Sequence, residues 1–201
     1  MPASESIRLF FAVVVGERTR RRLEELSNEL ASELKGFKWT KPDQLHVTLA
    51  FLGAVESSRI SDLESAVSDA VRSQPRFEVQ WRGLGAFPRP ARASILWAGV
   101  GEGTDQFLAL QRTIADLLIE QGFPPDPRFT PHVTLARAKR FGGRPGDLRD
   151  VVDRFHASEF GVDLVSEVVL MKSDCRPSGS VYSPIATIPL RSEYNENQSQ
   201  G

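Results

Sequence analysis

The feature that most constrains this chain of 201 residues is an internal repeat with an offset of 86 residues. The segment His-Val-Thr-Leu-Ala at residues 46–50 recurs unchanged at residues 132–136. Residues 9–12 (Leu-Phe-Phe-Ala) align with residues 95–98 (Ile-Leu-Trp-Ala), and no gap separates the two matches. A repeat of this length indicates one supersecondary unit present in two copies.

Hydrophobic spacing within each copy predicts alternating strands and helices. In the first copy, leucines at positions 23, 26, 30 and 34 lie on one face of an amphipathic helix, and the preceding apolar run is typical of a buried strand. The predicted strands are 8–15, 45–53, 77–81, 162–172 and 181–190, and the predicted helices are 17–35, 56–73, 104–121 and 146–155.

This order of elements predicts an α+β fold with two pseudo-symmetric lobes, mostly antiparallel sheets, outer helices and a central cleft. We expect a single domain over residues 1–191, with repeat units of about 8–88 and 94–174 and a closing strand over 181–190. The tail at 192–201 is polar and aperiodic, so we expect it to be disordered.

The composition argues against a membrane-spanning protein, a disulfide-bonded protein and a non-specific binder of polyanions. No apolar run approaches the roughly 20 residues that a membrane-spanning helix needs. A single cysteine, Cys175, allows no internal disulfide and fits the reducing cytoplasm, where we expect the protein. The net charge of −1 argues against non-specific binding to polyanions, although Arg89, Arg92, Arg128 and the basic segment 137–144 are candidates for local phosphate contacts.

The repeated His-x-Thr pattern carries the chemistry. Side chains alternate along a strand, so His46 and Thr48 share one face while Val47 and Leu49 face the core. The same holds for His132 and Thr134. Two such strands facing one cleft present two imidazoles and two hydroxyls to a single small ligand.

Two imidazoles suit a reaction in which one group accepts a proton while another donates one. The ordinary histidine pKa, about 6.5, allows one ring to be neutral and the other protonated near neutral pH. Zinc is a competing explanation, but catalytic zinc sites commonly use three protein ligands, and threonine replaces a good ligand beside each histidine. His156 has no partner in the repeat and is expected to be an ordinary surface residue. We therefore expect neither a metal nor a cofactor.

These motifs resemble the 2H phosphoesterase superfamily, and within it the bacterial and archaeal RNA 2′,3′-cyclic phosphodiesterases once called 2′-5′ RNA ligases. The most specific matches are Lys41-Pro42-(x)₃-His-Val-Thr-Leu-(x)₂-Leu-Gly and the segment Phe-Thr-Pro-His-Val-Thr-Leu-Ala-Arg at 129–137. The resemblance extends over nearly the whole chain.

The resemblance implies hydrolysis of an RNA-terminal 2′,3′-cyclic phosphate to a 2′-phosphomonoester. It implies that His46 is the proton donor and His132 the proton acceptor, a direction that the symmetry of the repeat does not provide. Arg137 matches the phosphate-binding arginine of the family, and Thr48 and Thr134 are expected to bind the same phosphate. Arg137 aligns with Phe51 in the first copy, so the two halves differ at this position.

Other functions remain open from the sequence. The same site would serve a reversible 2′-5′ RNA ligase, in which a ribose hydroxyl replaces water, or a non-catalytic module that binds RNA ends. The expected partners are RNA with 2′,3′-cyclic phosphate ends or small cyclic nucleotides, including a cyclic phosphate of ADP-ribose. We expect a monomer that does not bind membranes.

Overall fold

The computed structural model of the protein describes residues 6–124, 126, 128–139, 146–176 and 179–192. Its strands are β1 (Ser6–Val14), β2 (Phe37–Trp39), β3 (His46–Glu56), β4 (Phe77–Phe87), β5 (Ile95–Val100), β6 (His132–Ala138), β7 (Glu159–Val165), β8 (Glu167–Arg176) and β9 (Gly179–Pro189). Its α-helices are α1 (Glu17–Glu33), α2 (Ile60–Val71), α3 (Thr104–Glu120) and α4 (Arg149–Phe155).

The strands form two antiparallel sheets. The first has the order β3-β1-β8-β9, and the second has the order β2-β6-β5-β4-β7. The strands that carry the two histidines, β3 and β6, contact each other where the sheets meet. The predicted α+β class with two lobes and antiparallel sheets is therefore confirmed.

The two sheets do not coincide with the two repeat units. Under the 86-residue offset, β3-β1-β8 in one sheet corresponds to β6-β5-β4 in the other. The last strand of each unit, β4 or β8, therefore lies in the sheet that the other unit begins. The repeat units 8–88 and 94–174 therefore do not each correspond to one sheet. Neither unit completes a sheet alone, so the chain forms one interlocked body.

Several element boundaries differ from the prediction. The apolar stretch 162–172, predicted as one strand, contains parts of β7 and β8, which are separated at Ser166 and belong to different sheets. Helix α4 begins at Arg149, three residues later than predicted. The short strand β2 was not predicted. Of the tail expected to be disordered, residues 193–201 lie outside the described residues.

A carboxylate fixes α1 onto the second sheet. Asp163 on β7 accepts hydrogen bonds from the backbone N–H of Gly16 at 2.9 Å, the hydroxyl of Thr19 at 3.0 Å and the indole N–H of Trp81 at 2.7 Å. A negative charge at this position also stabilises the positive end of the helix dipole. Leu23 and Leu30, further along the same face of α1 as Thr19, are fully buried. The chain thus passes from β1 in the first sheet to a helix anchored on the second.

The buried core is continuous across both sheets. It includes alternate residues of the histidine strands, among them Val47 and Val133, and large side chains such as Phe11, Trp81 and Phe107. The core therefore lies behind β3 and β6 and leaves their opposite faces open.

No helix among the described residues is long and apolar enough to cross a membrane.

Candidate active site

A cleft of about 280 Å³ lies between β3 and β6. It brings together all five side chains that the sequence identified as candidates: His46, Thr48, His132, Thr134 and Arg137. Its lining is completed by Thr40, Gln44, Leu49, Ala50, Phe51, Asp126, Arg128, Phe129, Thr130 and Tyr182.

A β-bulge in β3 determines which side chains reach this cleft. Phe11 of β1 pairs with Ala50, and the next residue of β1 pairs with Thr48, so Leu49 has no partner in the β1–β3 ladder. Leu49 and Ala50 are consecutively buried, and Phe51 is 66% exposed. The extra residue reverses the alternation of the strand. Phe51 therefore lies on the same face as His46 and Thr48.

The same bulge occurs in β6. Leu96 pairs with Ala136 and Trp97 pairs with Thr134, which leaves Leu135 without a partner in the β5–β6 ladder. Leu135 and Ala136 are both fully buried, and Arg137 is exposed. Strict alternation would have directed Arg137 into the core, because it lies three positions beyond Thr134. The duplicated bulge instead places Arg137 in the cleft, beside the two histidines.

Backbone carbonyls determine the tautomer of both histidines. His46 Nδ1 is 2.6 Å from the carbonyl oxygen of Gln44, and His132 Nδ1 is 2.7 Å from that of Thr130. A carbonyl oxygen accepts but cannot donate, so each Nδ1 carries a hydrogen. Each Nε2 then remains for proton exchange, and Nε2 of His46 lies 3.1 Å from the hydroxyl oxygen of Thr48. Both rings can thus exchange a proton through Nε2.

Aromatic side chains hold both imidazoles. His46 lies 5.0 Å from Phe10 and 5.2 Å from Tyr182 between ring centroids, with the tyrosine ring at 86°. His132 lies 5.0 Å from Phe87, also at 86°, and 6.0 Å from Trp97. With Nδ1 hydrogen-bonded and the ring faces packed, each imidazole has a defined orientation.

Burial lowers the pKa of both histidines below the ordinary value of 6.5. The hydrogen bonds to Gln44 and Thr130 partly oppose this effect, since they favour the protonated rings. The positive charge of Arg137 lowers both pKa values further, and His132 adds to the effect on His46. Arg137 lines the same cleft as both rings, so its charge disfavours a second positive charge there. In the unliganded protein both rings therefore favour the neutral form near pH 7.

Other sequence candidates lie in different surroundings. Arg128 lines the cleft, where its Nε is 3.3 Å from a carboxylate oxygen of Asp126, whereas Arg89 and Arg92 are exposed residues that do not line it. His156 is exposed at the C-terminal end of α4. Residues 140–144 of the basic segment lie outside the described residues.

Two residues that contact or orient His46 were not identified from the sequence. Gln44 supplies the carbonyl that orients His46, and Tyr182 packs against that ring. Neither residue belongs to the repeated His-x-Thr motif, and Tyr182 lies on the closing strand β9, outside the repeat. Within the described part of the chain, no group of three or more His, Cys, Asp and Glu side chains is arranged to hold a metal ion.

Comparison with known proteins gives consistent results. The family model for LigT-like phosphoesterases matches residues 15–97 and 99–182, one match for each half of the chain. An RNA 2′,3′-cyclic phosphodiesterase of Methanothermobacter thermautotrophicus is 33% identical over 185 residues, covering 92% of this chain and 99% of the relative. One of Archaeoglobus fulgidus is 32% identical over 179 residues, covering 89% and 98%.

Solved structures extend the comparison to the fold. A crystal structure of a Thermus thermophilus protein superposes with a TM-score of 0.76 at 29% identity and covers 94% of this chain and 100% of that one. Escherichia coli LigT in complex with 3′-AMP superposes with a TM-score of 0.72 at 22% identity, over 94% and 100% of the two chains, and at that identity it shows the fold alone. The family match, the relatives and the shared architecture lead to one conclusion: this chain belongs to the LigT-like phosphoesterase family.

Proposed function

We propose that this protein hydrolyses the 2′,3′-cyclic phosphate at the 3′ end of RNA and releases a 2′-phosphomonoester. The observation that carries the proposal is the cleft itself. It contains two histidines with the same tautomer, each beside a threonine, and one arginine whose charge acts on both rings. The two relatives described above are RNA 2′,3′-cyclic phosphodiesterases, which supports this substrate class.

In the proposed reaction, Nε2 of His132 removes a proton from water as the water oxygen attacks phosphorus. The bond between phosphorus and the ribose 3′-oxygen breaks, and Nε2–H of His46 gives its proton to that oxygen. The 2′-ester bond stays intact, so the product is a 2′-phosphate. The assignment of donor and acceptor follows the family resemblance. Each such transfer typically contributes about 10²–10⁴-fold to the rate.

Substrate binding would set the protonation states that this mechanism needs. The phosphate brings a negative charge that offsets Arg137 and favours the protonated form of a neighbouring imidazole. Both histidine pKa values lie below the ordinary value in the protein alone, so the anionic substrate itself would raise them towards working pH. Substrate binding and protonation of the catalytic acid are thus coupled.

Arg137 and the two threonines would stabilise the phosphoryl group. Arg137 is exposed in the cleft and forms no ion pair with any residue that the structure describes. Its planar guanidinium can donate two parallel hydrogen bonds to non-bridging oxygens. The hydroxyls of Thr48 and Thr134 line the same cleft and can donate to the same group. Such donors accelerate the reaction where charge develops in the transition state.

We further propose that the physiological substrates are RNA ends, with small nucleoside cyclic phosphates as minimal substrates, and that the enzyme acts as a monomer in the cytoplasm. RNA ends fit because the lining of the cleft includes the exposed aromatic side chain of Phe51, against which a base could stack. The cytoplasm fits the exposed free thiol of Cys175.

The decisive experiment uses a short RNA with a 2′,3′-cyclic phosphate end. The proposal predicts a 2′-phosphomonoester, which phosphorus NMR distinguishes from the 3′ isomer. A 2′-5′ linked product formed with a second RNA carrying a 5′-hydroxyl would instead indicate the ligase. Stable binding of the cyclic end without any product would indicate a binding module.

A further inference from the structure

The two histidines have matching aromatic neighbours that come from different parts of the chain. The ring of Phe87 stands at 86° to His132 at 5.0 Å, and the ring of Tyr182 stands at 86° to His46 at 5.2 Å. The repeat equivalent of Phe87 is Ser173, and Ser173 on β8 pairs directly with Tyr182 on β9. The closing strand therefore supplies to His46 the ring contact that the repeat itself supplies to His132.

Strand β9 contacts the His46 site in two ways. The Tyr182 ring packs against His46 and also against the fully buried Phe10, at 5.0 Å and 77°. Two residues earlier on β9, the carbonyl of Ser180 accepts a hydrogen bond of 3.1 Å from the side-chain amide of Gln44. The backbone carbonyl of Gln44 in turn accepts the Nδ1 hydrogen of His46. The ring of Tyr182 thus has a positioning role.

The hydroxyl of Tyr182 has no part in that role. Phe87 makes the same perpendicular contact with His132 and carries no hydroxyl. Tyr182 lines the cleft, and its hydroxyl makes no hydrogen bond to any residue in the described ranges. The hydroxyl is therefore available to donate a hydrogen bond to a ligand in the cleft.

The two halves of the cleft also differ in their donors. On β6 the residue after the bulge is Arg137, a cation, whereas its equivalent on β3 is Phe51, which has no donor. Tyr182 provides a hydrogen-bond donor on the His46 side, where the repeat equivalent of Arg137 provides none. We propose that Tyr182 is a substrate-contacting residue, whose hydroxyl donates a hydrogen bond to an oxygen of the cyclic phosphate on the His46 side. This inference rests on the proposed function.

The test compares Tyr182→Phe with Tyr182→Leu, using adenosine 2′,3′-cyclic phosphate as substrate. Tyr182→Phe keeps the ring, so the pKa of His46 measured by NMR should not change, while kcat/KM should fall about tenfold for the loss of one hydrogen bond. Tyr182→Leu should lower kcat/KM further and move the pKa of His46 as well. The matched control, Phe87→Leu, should affect the pKa of His132 and leave that of His46 in place.

A Tyr182→Phe variant with wild-type kcat/KM would overturn the inference. So would a loss of activity accompanied by a changed His46 pKa, because that pattern describes a purely structural role. If the wild-type protein itself does not hydrolyse the cyclic phosphate, the proposed function fails first. Titration of inorganic phosphate, monitored through the His46 ring signals, then tests Tyr182 alone. Weaker phosphate binding in Tyr182→Phe supports the contact, and equal affinity rejects it.

Discussion

Thr134 and Arg137 both line the cleft from strand β6, although they are three positions apart and simple alternation would put them on opposite faces. The bulge at Leu135 is the cause, and the equivalent bulge at Leu49 has the same effect on Phe51 in the other half. The duplication has therefore preserved a backbone irregularity together with the His-x-Thr motif. A bulge at this point makes room for a third cleft residue on each strand.

We expect Arg137→Ala to lower kcat by about 10- to 100-fold, the loss for a charge-assisted hydrogen bond that strengthens in the transition state. Arg137→Lys should restore part of this loss, because an ammonium group cannot make the planar two-pronged contact. Steady-state kinetics on one cyclic phosphate measure both, with Arg92→Ala as the exposed control outside the cleft. An alanine variant with normal kcat and raised KM would mean that Arg137 binds the ground state and the transition state equally.

The pH profiles of kcat/KM and kcat should differ. Burial and Arg137 lower both histidine pKa values in the free enzyme, so the proton on the catalytic acid is lost at lower pH there. Bound phosphate opposes this effect in the complex. The pH profile of kcat/KM reports pKa values of the free enzyme, and that of kcat reports those of the enzyme–substrate complex. The bell-shaped profile of kcat/KM should therefore be centred at lower pH than that of kcat. If the two pH profiles coincided, or if the kcat profile were centred at the lower pH, the proposed coupling between substrate binding and histidine protonation would be contradicted.

Stability should also depend on these histidines. A histidine with a lowered pKa in the folded state contributes stability that is fully present above its ordinary pKa of 6.5 and is lost as pH falls through the lowered value. Urea unfolding of the wild-type protein should therefore show a decline in the free energy of unfolding below pH 6.5 that is smaller in His46→Ala. An identical decline in both proteins would show that other groups are responsible.

Because β4 and β8 each pair in the sheet that the other repeat unit begins, we predict that half of the chain does not fold alone. In a fragment of residues 8–88, β4 lacks both of its neighbours, β5 and β7, and β1 lacks β8. The remaining pairing of β1 with β3 is a two-stranded ribbon, which is marginally stable at best in water. We expect narrow amide dispersion in NMR spectra of the fragment and no cooperative unfolding transition. A well-dispersed spectrum would mean that each unit closes its own sheet.

The sequence alone allowed much of this description, because the repeat aligned both histidines and the leucine spacing located α1. What it did not provide depends on pairing between distant segments. Alternation treats every strand as regular, so it gave no sign of the bulge at Leu135. Ser166 carries no signal that separates β7 from β8 into two sheets, and Tyr182 lies on a strand without a repeat partner. Such features arise from tertiary packing, which local patterns do not encode.

The central claim is that two imidazoles perform the chemistry. It is tested most directly by the rate of adenosine 2′,3′-cyclic phosphate hydrolysis in excess EDTA, measured for the wild-type protein, His46→Ala, His132→Ala and the control His156→Ala. We predict full wild-type and His156→Ala activity with chelator present, and a loss of at least about 10²-fold in each cleft variant. Near-normal turnover by either cleft variant, or a wild-type rate that EDTA abolishes and a divalent metal restores, would contradict the claim.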